Sequence, residues 1–119
     1  MAWEVEYTDE FGDWWENLSE GEQDAVDRYV LMLMEAGPHL GHPYSSGIES
    51  SRHSHMRELR IQHGGEPYRA FYAFDPRRTA ILLIGGCKIG DKRFYEKMVP
   101  IADDLYDTHL DELRREGEL

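Results

Sequence analysis

The run Thr79–Ile84, TAILLI, constrains the fold more than any other stretch of the chain. It is apolar at successive positions, so an extended segment here needs cover on both faces. That marks a central strand of a sheet. The residues before it supply neighbours. In MRELRIQ, Arg57, Leu59 and Ile61 fall on one side and Glu58 and Arg60 on the other. HGGEP then reads as a turn. Tyr68–Phe74 follows as a strand with Tyr68, Ala70, Tyr72 and Phe74 on one face and Arg69 and Phe71 on the other. Asp75-Pro76 opens a tight turn, because proline presets the φ that its second position requires. Short connections make these three strands an antiparallel meander.

The N-terminal third is helical apart from its start. WEVEY alternates, with Trp3, Val5 and Tyr7 against Glu4 and Glu6, which predicts a short half-buried strand. Phe11, Trp14, Trp15 and Leu18 fall at i, i+3, i+4 and i+7, one stripe of a helix for which Asp9 is a candidate cap. SEGE is a capping box, in which Ser19 and Glu22 satisfy each other's amides. A second helix turns Ala25, Val26, Tyr29, Val30, Leu33 and Met34 inward and stops at Gly37-Pro38. Residues 38–54 read as a loop. Gly85-Gly86 reads as the exit from the last strand. Beyond Gly90 the spacing predicts a short helix near Lys92–Met98 and a second that starts with Pro100 at its first position, where a missing amide costs nothing. The order is β-α-α-β-β-β-α: an α/β (α+β) domain over 1–119, a helix hairpin on a three-to-four-stranded meander, with the first strand able to join its edge.

Composition bounds the function. One cysteine, Cys87, excludes an internal disulfide framework and suits a reducing compartment. No apolar run approaches the roughly 20 residues that span a bilayer. The opening residues lack a basic-then-apolar leader, so a cytoplasmic protein without membrane association is expected. The net charge is −11, but it is unevenly placed. Ten bases and five acids lie between Arg52 and Lys97; three bases and nineteen acids lie elsewhere. A chain polarised in this way can present one side to a polyanion. His39, His42, His53 and His55 are too scattered for a closed metal site, and there is no phosphate loop and no HExxH.

The candidate chemistry is therefore basic. Arg57 or Arg60, Arg69, Lys88, Lys92, Arg93 and Tyr95 lie on neighbouring strands and the segment after them. Singly, each reads better as half of a surface ion pair. Together they suit phosphodiester cleavage without a metal: cations neutralise the phosphorane, and a tyrosine whose pKa neighbouring cations lower exchanges a proton. Arg69 shares its strand face with Phe71, where an arginine needs an anionic partner.

The helix hairpin, then MRELR, then YRAFYAFDPRRTAILLIGG and a basic segment containing a tyrosine, resembles the RelE/ParE toxin superfamily. The likeness is to its HigB-like, phage-derived branch, from Trp3 to about Leu110. The resemblance implies a RelE-like fold and a type II toxin that enters the ribosome and cuts messenger RNA with neither metal nor cofactor. It implies a helix-turn-helix antitoxin that holds the toxin in a heterocomplex. It puts Arg69 at the scissile phosphate and Lys88, with Lys92 and Arg93 as rivals, at the transition state. Tyr95 falls in the place of a base, and Arg57, Arg60 and His55 (with His53 beside it) lie close enough to bind RNA. The other functions open to the chain are a ParE-like gyrase inhibitor and a non-catalytic, phage-derived binding module.

Overall fold

The computed structural model describes residues 2–119. Strand β1 (Val5–Tyr7) leads into helices α1 (Asp9–Glu16) and α2 (Glu20–Ala36). A 3-10 turn (Gly37–His39) and strand β2 (Ser45–Gly47) come next, then β3 (Arg57–His63), β4 (Glu66–Phe74), β5 (Ala80–Cys87) and helix α3 (Phe94–Arg115). The five strands form one sheet in the order β1-β5-β4-β3-β2. The β3-β4-β5 meander is antiparallel as the sequence predicts, and β1 joins the edge of β5 in parallel.

Strand β5 is covered on both sides. Leu82 joins Phe11, Val26, Leu33, Leu59, Ile61 and Tyr72 beneath the α1–α2 hairpin. Ile81 and Leu83 join Phe71, Phe94, Val99 and Tyr106 beneath α3. A bulge assists: Phe71 pairs with Ile84 but Tyr72 with Leu82, leaving Leu83 as the extra residue. The sheet is thus the middle of three layers.

Local chemistry explains the helix starts. Thr8, not Asp9, caps α1: its hydroxyl accepts from the Phe11 amide at 3.0 Å. The capping box of α2 is present in both directions, at 2.7 and 3.2 Å.

Three expectations need correction. Residues 38–54 are not all loop, because Ser45–Gly47 pairs with β3. The Ser45 hydroxyl is held by Tyr72 Oη at 2.6 Å and by Arg57 Nε at 3.1 Å, side-chain anchors that no period-2 pattern reveals. Strand β5 does not end at Gly85-Gly86 but runs through both to Cys87. The glycines are there for the layers: a Cβ on Gly85 would lie 2.4 Å from the Trp14 ring, and one on Gly86 would lie 3.0 Å from Phe94. The two helices expected around Pro100 are one, α3, with the proline inside. Pro100 is exposed, so the Glu96 carbonyl that loses its donor faces water, while Phe94, Val99 and Ala102 anchor both sides of the break.

Gly85→Ala is expected to destabilise the fold by about 1–3 kcal/mol through overpacking against Trp14. A lowered urea midpoint at unchanged slope would show it; an unchanged midpoint would mean that the α1–sheet contact is looser than described.

Candidate functional site

Alternation along β3 and β4 places Glu58, Arg60, Arg69 and Phe71 on the α3 side of the sheet. The first turn of α3 brings Tyr95 onto them. Glu58 and Arg69 are each only 3% exposed. The Glu58 carboxylate is shared among four groups. Its Oε1 accepts from Tyr95 Oη at 2.8 Å and lies 3.4 Å from Arg69 Nε; its Oε2 accepts from Ser46 Oγ at 3.1 Å and Arg60 Nη1 at 3.2 Å. A buried carboxylate needs such partners, because an unpaired one would be far too costly. The anion that the sequence requires near Arg69 is therefore internal. Arg69 Nη1 also donates to the Tyr68 carbonyl at 3.0 Å, whereas Arg69 Nε, although near Glu58, makes no hydrogen bond.

Tyr95 departs from the sequence expectation. Burial pushes its phenol up, and donation to Glu58 pushes it further; Arg69 opposes both but does not prevail. The cations nearby do not make it acidic. Lys88 places its ammonium 5.1 Å from the centre of the Tyr95 ring, a cation–π contact. Lys88 forms no ion pair with a carboxylate among the described residues. Lys92 and Arg93 are exposed on the turn that enters α3.

Two of the predicted residues lie elsewhere. Arg57 is on the hairpin side of the sheet, bonded to Ser45 Oγ and, at 3.3 Å, to the Leu40 carbonyl. His55 Nε2 meets Tyr106 Oη at 3.1 Å. Tyr106 is eleven residues beyond Tyr95, about 16 Å along the helix, and burial, then His53, hold the His55 imidazole below its usual range.

Several of the other bases are structural. Arg52 binds Asp104 and Asp107, and His53 binds Asp107 at 2.8 Å, so much of the acidity of α3 is spent in tying down the 50–55 segment. Arg77 bridges Asp75 and Glu6, each at 2.8 Å. Burial would push Asp75 up, but hydrogen bonds from Arg77, His109 and the Thr79 amide overcome it and hold the carboxyl below its usual range. Arg78 caps the Trp3 ring. Among the described residues no three histidine, cysteine or carboxylate side chains converge as a metal site would require.

A family model described as "Phage derived protein Gp49-like (DUF891)" matches residues 13–107. The chain belongs to this Gp49-like family. It is 40% identical over 98 residues to the "Putative toxin HigB3" of Mycobacterium tuberculosis, covering 82% of this chain and 84% of the relative. It is 35% identical over 99 residues to the "Putative toxin HigB2" of the same organism, covering 82% of this chain and about half (49%) of that longer protein. In fold it is similar to free Escherichia coli toxin RelE carrying two arginine-to-alanine changes, with a TM-score of 0.59, 11% identity and 82% and 96% of the two chains covered. The isolated E. coli RelE toxin gives 0.53, 13%, and 84% and 99%. The chain is thus a HigB-like member of the Gp49-like family with a RelE-like fold.

Within this Gp49-like chain what sequence reasoning missed is the burial of Glu58 and its role as the anion beside Arg69. In MRELR Glu58 falls with Arg60 on one side of an alternating strand, and nothing local marks it as buried. The available signal was Arg69 itself: Arg60 pairs directly across from it, and two facing arginines call for a carboxylate within reach.

Proposed function

We propose that this Gp49-like protein is the toxin of a type II pair and cuts translated messenger RNA at the ribosome, without a metal ion. The observation that carries the proposal is the convergence of Arg69, Arg60 and Lys88 with the proton-bearing pair Glu58–Tyr95 at one end of the sheet.

In this reading the RNA 2′-oxygen attacks the adjacent phosphorus, and the bond from phosphorus to the 5′-oxygen breaks, leaving a 2′,3′-cyclic phosphate. Arg69, with Arg60 and Lys88, neutralises the charge on the phosphorane. Glu58 is the carboxylate of the site and takes the 2′-hydroxyl proton. Tyr95 holds its proton at neutral pH, because its phenol is pushed upward. It therefore acts as the acid that protonates the leaving 5′-oxygen, in place of the base suggested by the resemblance. Glu58 then passes the proton back to Tyr95, its hydrogen-bond partner in the free protein. Lys92 and Arg93, exposed beside the site, hold flanking phosphates.

The partner is a helix-turn-helix antitoxin, and the setting is the cytoplasm, where translating ribosomes are. The reading is tested by induction in a host followed by mapping of RNA 5′ ends. Cuts within codons of translated messages are expected. Growth arrest with intact messages and accumulating DNA breaks would replace the reading with gyrase inhibition. Growth unaffected by induction would leave a binding module.

A further inference from the structure

In the free protein the Arg69 guanidinium is not open to a phosphate. It is 3% exposed, and Glu58 lies against its Nε. The same carboxylate also takes a hydrogen bond from Arg60. Two of the three cations of the site thus already face an anion, and that anion belongs to the chain. The fit is imperfect in an informative way: Arg69 Nε is buried and has no hydrogen-bond acceptor. A buried guanidinium normally satisfies its donors. A carboxylate offers two oxygens, and here both are engaged by Tyr95, Ser46 and Arg60, leaving Arg69 Nε at 3.4 Å. A phosphodiester also brings two non-bridging oxygens, but no fold constraint fixes where they sit, so one can take the acceptor position at Arg69 Nε that Glu58 leaves empty.

We infer that Glu58 is an internal anion that occupies the phosphate position of this site in the free protein, and that a nucleic-acid phosphodiester binds by displacing the carboxylate from Arg69 and Arg60. The inference rests on the proposed RNA-cutting function for the identity of the ligand, but not for the existence of the anion site. Displacement is local. Ser46 belongs to a three-residue edge strand, Tyr95 is the second residue of α3, and the Arg60 head is partly exposed. A Glu58 side chain swung off Arg69 leaves the two cores in place and frees its carboxylate for the 2′-hydroxyl proton. With Glu58 in place, Arg69 and Arg60 become available only to a ligand that brings its own negative charge.

The test uses the full chain with inorganic phosphate and a short RNA analogue whose 2′-oxygen at the cut position is removed. Binding is read from the Arg69 Nε–H and Tyr95 ring resonances. In the wild type, both sets of resonances should shift together on saturation with phosphate. Glu58→Gln keeps the shape and removes the charge, so both ligands should bind at least about tenfold more tightly, since a like charge in contact range has been removed. Glu58→Asp retains the charge and should bind near the wild-type level. The Gln variant should nonetheless cut RNA more slowly, because its amide cannot accept the proton. If Glu58→Gln binds no more tightly than the wild type, or Glu58→Asp gains as much as Glu58→Gln, the inference is overturned. The same holds if phosphate shifts only Lys92 and Arg93 in the wild type, a result that needs no variant. Tighter binding by Glu58→Gln together with a wild type that leaves ribosomal messages intact would keep the anion site and reject the nuclease reading.

Discussion

Arg69→Ala is expected to lose RNA cutting by about 10²–10³-fold, the usual effect of removing one preorganised donor from a developing negative charge. It is also expected to lose stability, and the two losses have different origins. Arg69 faces Glu58 with both side chains almost fully buried, and removing one member of such a pair leaves the other charged without compensation, at about 3–5 kcal/mol. Arg60, Tyr95 and Ser46 still hold Glu58, so the low end of that range applies. The double variant Arg69→Met with Glu58→Gln removes both charges at similar volume and should recover most of the urea midpoint while remaining inactive. Arg115→Ala, at the exposed end of α3, is the control and should leave both quantities unchanged. Cutting by Arg69→Ala within tenfold of the wild type would move the charge-stabilising role to Lys88 or Arg60.

That experiment separates what this sequence makes legible from what it does not. The periodicities of the hairpin, the alternation of β3 and β4 and the apolar run of β5 each follow from a local pattern, and each appears in the fold. So does the need of Arg69 for an anion, since a long cationic side chain next to Phe71 on a strand face has no other way to be buried. The identity of that anion was not legible. Glu58 becomes buried only because α3 returns across the sheet to lay Tyr95 over it, and because Ser46 closes the edge. Both are contacts between residues remote in sequence. Pro100 misled for the same reason: its local cost is real, but it is opposed by Phe94, Val99, Ala102 and Tyr106 packing along one helix. Arg57 misled through parity. Read as one more base near the phosphate, it sits on the opposite face from Arg60, as any odd–even pair on a strand must.

The role of Tyr95 gives the other large effect. Tyr95→Phe keeps the ring, its edge contacts with Phe71 and Phe94 and its place under Lys88, and removes only the hydroxyl. Stability should change by about 1 kcal/mol, the worth of one hydrogen bond, since Glu58 retains three of its partners. Cutting should fall by about 10²–10⁴-fold, the range for a positioned proton donor, with substrate binding little affected. The pH profile distinguishes acid from base. A base would need the phenolate, so activity would climb as pH rises toward the tyrosine pKa. An acid needs the phenol, and because burial and Glu58 push that phenol upward, the alkaline decline of the wild type should come above about pH 10, the ordinary tyrosine value. The Phe variant should lack that alkaline limb. Activity that rises between about pH 8 and 10 and depends on Tyr95 would restore the tyrosine as base and remove Glu58 from the proton path.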